Sequence, residues 1–274
     1  MSARAEADTV AVEVREGIAW VRFNRPEKRN AMSPRLNRQM LRVITELEFR
    51  DEVGVLVLAG EGAAWSAGMD LKEYFRETEA QGLEGVRHSQ REAYAWWERL
   101  RWYQKVTIAM VNGWCFGGAY GPLYACDLAF CAEDAQFGLS EINWGILPGG
   151  LVSKVMLDAC SYRDAKWYAL TGEPFDGKVA ERIRLVNIAV PRARLRDETV
   201  KLAKMLLAKN PQVYKSVKEV MHHIRGMDVE QATDYLRAKE MEMRFMDREG
   251  GRAKGMKQFL DDKTYRPGLE TYKR

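Results

Sequence analysis

An α/β fold with crossover connections, followed by a helical C-terminal segment, is predicted by three observations. The apolar runs at 54–60 (GVLVLAG) and 106–111 (VTIAMV) are continuous rather than alternating, the pattern of strands buried on both faces. Segments of helical period alternate with strand-like runs through the first two thirds of the chain. Beyond Pro191 the chain becomes charged and helical nearly to its end, with Arg/Lys and Glu interspersed. No internal repeat or low-complexity linker appears. The expected organisation is a core over 1–195 and a helical segment over 196–274.

Period and punctuation justify each element. Residues 10–14 and 18–23 alternate and flank Glu16-Gly17, a hairpin signal. Ser33-Pro34 opens a helix to about residue 49, with Ser33 as N-cap and proline in the first turn. The strand at 54–60 follows, then a helix over 84–103 and the strand at 106–111. Two short strands are expected at 127–131 and 135–137, and one helix over 151–171.

Composition narrows the function. The 274 residues carry 43 Lys+Arg and 39 Asp+Glu, a net charge of +4 that demands neither a nucleic-acid nor a membrane partner. Three histidines (His88, His222, His223) argue against a histidine-built metal site, and no metal is expected. Four cysteines form no CxxC pair, which favours reduced thiols and a cytoplasmic setting over a zinc ribbon or disulfide scaffold. The first ten residues, MSARAEADTV, hold charges of both signs and no apolar core, so no secretory signal is expected there. From 106 to 126 run twenty-one uncharged residues, long enough to span a bilayer. Four glycines, Asn112 and Pro122 within that run favour a strand, a tight turn and a buried helix instead.

Three segments carry candidate chemistry. Two of them, around Ser66-Ala67-Gly68-Met69-Asp70 and Asn112-Gly113-Trp114-Cys115-Phe116-Gly117-Gly118, each run from a buried strand through a glycine turn towards a helix. If the two turns converge, one backbone N–H from each can hold a developing enolate or oxyanion; ordinary turn glycine is the competing account of either alone. The third, 137–150, places Glu141 among apolar and aromatic residues, where desolvation raises its pKa towards neutrality. A surface glutamate, or a buried one paired with arginine, accounts for the same residues.

Together NRPEKRNAMS (24–33), SAGMDLKE (66–73), NGWCFGGA (112–119) and FGLSEINWGILPGG (137–150) resemble the crotonase (enoyl-CoA hydratase/isomerase) superfamily, over nearly the whole chain. Within it, GMDLKEYF (68–75), NGWCFGG, SEINWG and the tail GMKQFLDDK (255–263) resemble the feruloyl-CoA (p-hydroxycinnamoyl-CoA) hydratase-lyases. The resemblance implies a crotonase-like spiral of ββα units and an enzyme that hydrates a 4-hydroxycinnamoyl-CoA, then splits it to an aromatic aldehyde and acetyl-CoA. It implies Met69 and Gly118 N–H as the oxyanion hole and Glu141 as the proton-transfer residue. Coenzyme A, as part of the substrate and with no further cofactor, would lie along 24–30 and 63–68. Lys28 and Arg29 would sit near its phosphates, with Ala67 beside it; a solvated charge pair is the competing account of the two cations. Phe259 and Lys263 would approach the adenine from a neighbouring subunit of a homotrimer or dimer of trimers.

Departures from the pattern bear on substrate. Where the two-glutamate hydratases carry their first glutamate, and hydratase-lyase relatives a serine, this chain has Gly121, which implies room beside the substrate. Of two tyrosines that clamp the substrate's para-hydroxyl in relatives, one matches Tyr74 and the other falls at Arg237, with Tyr235 two positions away on a different helix face. Arg237 stabilises a phenolate, pairs with a carboxylate on another acyl group, or faces solvent. Trp144 is a pocket candidate because the catalytic turn carries it. The aromatics Tyr94, Trp96, Trp97, Trp102 and Tyr103 read as core or subunit interface, with an aryl pocket as the alternative. Relatives have glycine where Arg184 stands, so this arginine must take a left-handed conformation or shift the helix cap. Gly121 and Arg237 also leave room for another crotonase-fold reaction (hydratase, isomerase or decarboxylase) on a different acyl-CoA, and a non-catalytic CoA-binding protein is the third possibility.

Overall fold

The computed structural model describes residues 8–274. The described chain divides into two compact units, one of residues 8–103 and 107–200, the other of residues 104–106 and 201–274. The division falls after Val200, within helix α8 (Leu195–Leu207), whose start coincides with the boundary expected from sequence at 195/196.

In the first unit, strands β1 (Val10–Arg15) and β2 (Ile18–Phe23) form the expected hairpin. Its two-residue turn places Glu16 and Gly17 at φ 52° and 78°, the pair of left-handed positions that a tight hairpin requires. Helix α1 (Pro34–Glu48) begins at Ser33, whose side chain accepts a hydrogen bond from Leu36 N–H. Strand β3 (Val55–Gly60) is buried along its whole length, as its unbroken apolar sequence predicts. After it come β4 (Ala64–Ser66), α2 (Glu77–Glu79) and α3 (Gly82–Arg101).

The uncharged run resolves into β5 (Val106–Val111), β6 (Trp114–Phe116), a 3-10 turn at Gly117–Ala119 and α4 (Tyr120–Ala125). Among the described residues, no helix is long and apolar enough to cross a membrane. Beyond it lie β7 (Leu128–Ala132), β8 (Gln136–Gly138), α5 (Val152–Ala159) and α6 (Tyr162–Thr171), then β9 (Phe175–Asp176), α7 (Gly177–Arg182) and β10 (Ile188–Val190). The single helix expected over 151–171 is two. Ser161 caps α6 by accepting from Asp164 N–H, a local bond that breaks the helical path although the apolar period continues across it. Arg184 adopts the left-handed conformation, φ 68°.

Two sheets organise this unit. The larger runs in the order β1-β2-β3-β5-β7-β10, the smaller β4-β6-β8-β9. Three times in succession a strand of the large sheet is followed by a short strand of the small one: β3 then β4, β5 then β6, β7 then β8. This is the ββα spiral. In the small sheet β4, β6 and β8 lie side by side and parallel, with Cys115 opposite both Ser66 and Phe137. Their C-terminal ends therefore emerge together, and each opens one of the three segments singled out from sequence.

The second unit is helical, with α8 continuing into α9 (Pro211–His223), α10 (Val229–Met246) and α11 (Gly251–Leu260). Asn210 ties it together: its amide oxygen caps α9, and its amide nitrogen donates to Asp247 at 2.9 Å. Asp247 in turn accepts from Gly251 N–H at the start of α11.

Candidate active site

The loop after β4 is held by the segment 24–33. Met32 N–H donates to Gly68 O at 2.7 Å and Asp70 N–H to Met32 O at 3.0 Å. Successive N–H groups of an extended chain point to opposite sides, so Met69 N–H, between these two bonds, faces away from Met32. Ala67 N–H donates to Arg29 O, and Ser66 Oγ to Asn30 O. The buried Arg25 guanidinium donates to Asp70 at 3.0 Å, to Glu73 and to Ala31 O. Asp70 uses its other oxygen to cap the helical turn Leu71–Arg76, which carries Tyr74.

The loop after β6 meets the first. Gly68 has φ +91°, and a Cβ there would stand 2.6 Å from Phe116 O and 3.1 Å from Gly118 N. A Cβ on Gly118 would stand 3.4 Å from Met69 N. The two turns therefore converge with the Met69 and Gly118 N–H groups adjacent, at an approach only glycine permits.

The segment after β8 supplies the carboxylate. Glu141 lies in the 3-10 helix Ser140–Trp144 and is 6% exposed. Its Oε1 lies 3.1 Å from the point a Cβ on Gly117 would occupy, so it abuts the residue before Gly118. Its Oε2 is buried, and among the described residues it has no hydrogen-bond partner and no arginine or lysine pairs with it. Burial raises its pKa above the ordinary carboxylate value, opposed only by its own backbone N–H. A desolvated, unpaired carboxylate beside two convergent N–H groups can move protons next to a stabilised enolate.

At Gly121 the structure corrects the sequence expectation of open space. A Cβ there would lie 2.8–2.9 Å from Trp97 ring atoms, so the indole already fills the volume of the missing side chain. Sequence reasoning missed this because Trp97 reaches Gly121 from a helix 24 positions earlier. The aromatic run itself divides. Trp96 donates to Asn37 Oδ1 at 3.0 Å and Tyr103 to Ile44 O at 3.1 Å, both as core residues. Trp102 is exposed, while Trp97 covers Gly121.

The remaining candidates are placed as follows. Tyr74 is buried at 9% exposure, and Trp144 is 48% exposed. Lys28 is exposed; Arg29, left-handed at φ 49°, lays its guanidinium 4.8 Å from the centre of the Trp114 ring. In the C-terminal unit, the Arg237 side chain is 77% exposed and its ion pair is with Asp234 of its own helix, at 3.8 Å. Tyr235 packs against His223, and the Lys263 ammonium lies over the Phe259 ring at 5.9 Å.

Residues 13–266 match the enoyl-CoA hydratase/isomerase family. The chain belongs to that family. It is 57% identical over 268 residues to the hydroxycinnamoyl-CoA hydratase-lyase of Pseudomonas fluorescens, covering 97% of each chain. It is 34% identical over 220 residues to a putative enoyl-CoA hydratase of Thermus thermophilus, covering 80% of this chain and 86% of the relative. The crystal structure of an enoyl-CoA hydratase from Polaromonas sp. superposes with a TM-score of 0.85 at 23% identity, covering 94% of this chain and 98% of that one. The last is a likeness of fold.

Proposed function

We propose that this enzyme hydrates a 4-hydroxycinnamoyl-CoA of the feruloyl-CoA type and cleaves the product by retro-aldol chemistry to an aromatic aldehyde and acetyl-CoA. The observation that carries the chemistry is the unpaired Glu141 carboxylate against Gly117, one residue from the Met69 and Gly118 N–H pair. The choice of acyl group rests on the 57% identity to the Pseudomonas hydratase-lyase.

Glu141 as carboxylate takes a proton from water as the oxygen adds to Cβ, and the C=C electron pair moves onto the thioester as an enolate. The two N–H groups hold that enolate oxygen. Protonated Glu141 then returns its proton to Cα. For cleavage, Glu141 removes the β-hydroxyl proton, the Cα–Cβ bond breaks, and its electron pair becomes the enolate of acetyl-CoA on the same N–H pair. Reprotonation of that enolate by Glu141 releases acetyl-CoA. With Trp97 over Gly121, one carboxylate serves every proton transfer.

Coenzyme A enters as part of the substrate, with no other cofactor. Ala67 borders its path, and Lys28 and Arg29 offer cations to its phosphates. The exposed Met241, Phe245 and Phe259 of the C-terminal unit supply apolar surface for a homotrimer or a dimer of trimers, with Phe259 and Lys263 available to a neighbour's adenine. Light scattering of the purified protein tests the assembly.

Incubation with feruloyl-CoA or p-coumaroyl-CoA should yield vanillin or 4-hydroxybenzaldehyde together with acetyl-CoA. Loss of enoyl absorbance without aldehyde would reject the cleavage step. Normal turnover by Glu141→Ala would remove Glu141 from its role.

A further inference from the structure

Arg29 is a cation without a carboxylate. Arg22 and Arg25, shortly before it in the chain, each hold two: Arg22 pairs with Glu61 at 2.9 Å and Glu13 at 3.4 Å, Arg25 with Asp70 at 3.0 Å and with Glu73. Among the described residues the exposed Arg29 guanidinium makes neither an ion pair nor a hydrogen bond. It lies over the Trp114 ring, 4.8 Å from the ring centre.

That ring belongs to a stack fixed on the small sheet. Trp114 and Phe116 are two positions apart on β6 and so share one face, with ring centres 5.1 Å apart. Phe116 in turn fills the space over Gly138 of β8, where a Cβ would stand 2.4 Å from its ring. The Arg29 backbone is fixed as well: its φ of 49° is left-handed, its N–H donates to Pro26 O, and its carbonyl accepts from Ala67 N–H. The guanidinium is therefore held at both ends, by its own backbone and by the indole.

The stack stands beside the segment 63–68, the course assigned above to coenzyme A. Trp114 lies opposite Ala64 in the parallel pairing of β4 with β6. A Cβ on Gly113 would come within 2.0 Å of Ala63 O, so the start of β6 rests directly on that segment. A cation over an aromatic face uses none of its N–H groups there, and arginine can offer two of them in parallel to an oxyanion. Holding the side chain in advance also removes freedom that it would otherwise lose on binding.

We propose that Trp114 is a positioning residue for acyl-CoA binding: its ring holds the Arg29 guanidinium ready for a phosphate in the nucleotide portion of the ligand. This rests on the acyl-CoA reading of the site. Lys28, exposed and over no aromatic ring among the described residues, gives up more side-chain freedom to make the same contact.

The test uses 3-(4-hydroxyphenyl)propanoyl-CoA and the corresponding pantetheine thioester, saturated ligands that can be neither hydrated nor cleaved. The second lacks every phosphate. Dissociation constants are measured by calorimetry on wild type, Trp114→Leu, Trp114→Phe, Arg29→Ala and the Arg29→Ala, Trp114→Leu double variant. Trp114→Leu should weaken the CoA thioester about fivefold, the size of one cation–π contact, and the pantetheine thioester less than about twofold. Trp114→Phe keeps a ring face and should recover most of the loss. Arg29→Ala should weaken the CoA thioester about tenfold or more, and adding Trp114→Leu to it should cost nothing further. In turnover of p-coumaroyl-CoA the losses should appear in KM and not in kcat. Equal losses for both thioesters, or no loss for the CoA thioester, overturn the proposal. Additive losses in the double variant overturn it too, because Trp114 would then act without Arg29. If wild type binds the CoA thioester no better than the pantetheine thioester, the acyl-CoA reading fails with it. If binding follows the expected pattern but p-coumaroyl-CoA yields no aldehyde, the lyase reading fails while the role of Trp114 stands.

Discussion

Restoring a side chain at position 121 should destabilise the protein through Trp97. In Gly121→Ala the new Cβ meets Trp97 Cε3, Cδ2 and Cζ3 at 2.8–2.9 Å. Ordinary contact begins near 3.4 Å, so the ring must retreat by about 0.5–0.6 Å. It has little room to do so, because its other neighbours are Tyr94 at 5.3 Å and Trp96 at 6.1 Å, and Trp96 is fully buried and hydrogen-bonded to Asn37. Overpacking of a rigid ring costs about 1–3 kcal/mol, and each kcal/mol lowers Tm by about 2–4 °C in a domain of this size. Trp97→Leu alone leaves a cavity and costs about 2–4 kcal/mol. The double variant Gly121→Ala, Trp97→Leu places the methyl in that cavity and should be more stable than the sum of the singles by about 1 kcal/mol or more. Thermal or urea melts of the four proteins measure the cycle. Additive losses would refute the claim that Trp97 occupies the volume of the missing side chain.

Glu141→Gln should abolish turnover and raise stability in a pH-dependent way. Burial raises the folded-state pKa above the unfolded one, so Glu141 contributes stability below its unfolded pKa and loses it as pH rises through the folded value. The variant should therefore melt higher than wild type at pH 8, by about 1–3 kcal/mol for an unpaired buried group, and equal it near pH 4; the opposite order would show a paired carboxylate. Wild-type activity should fall on the acid side at a pH above the usual carboxylate range, which a kcat/KM profile reads. Gly117→Ala forces a Cβ to 3.1 Å from Glu141 Oε1 at φ +51°, and should lower kcat about 100-fold with KM little changed. Arg25→Gln strands Asp70 and Glu73 and should cost about 3–5 kcal/mol in a urea melt, less when combined with Asp70→Asn.

Much of this was legible in the residues. Glu16-Gly17 specifies a two-residue turn and Ser33-Pro34 a helix start, because each acts through its own φ and its own hydrogen bonds. The unbroken apolar run of β3 announces a strand buried on both faces. The helix break at Ser161 was hidden because a cap is one side-chain bond inside a continuing apolar period. The strands β4 and β6 were hidden for another reason: at three residues each they are too short to carry a period. Trp97 looked like any other helical aromatic until α3 laid it on Gly121.

By itself, then, the sequence determined local conformation and chemical type: an α/β order of elements, glycine turns able to expose an N–H, and a glutamate set among apolar neighbours. Only the tertiary structure decided that these meet. Three short parallel strands, paired through backbone groups that every residue carries, bring the Met69 and Gly118 N–H groups together and set Glu141 against Gly117. Long-range pairing of that kind depends on the packing of the whole unit, so no single segment encodes it.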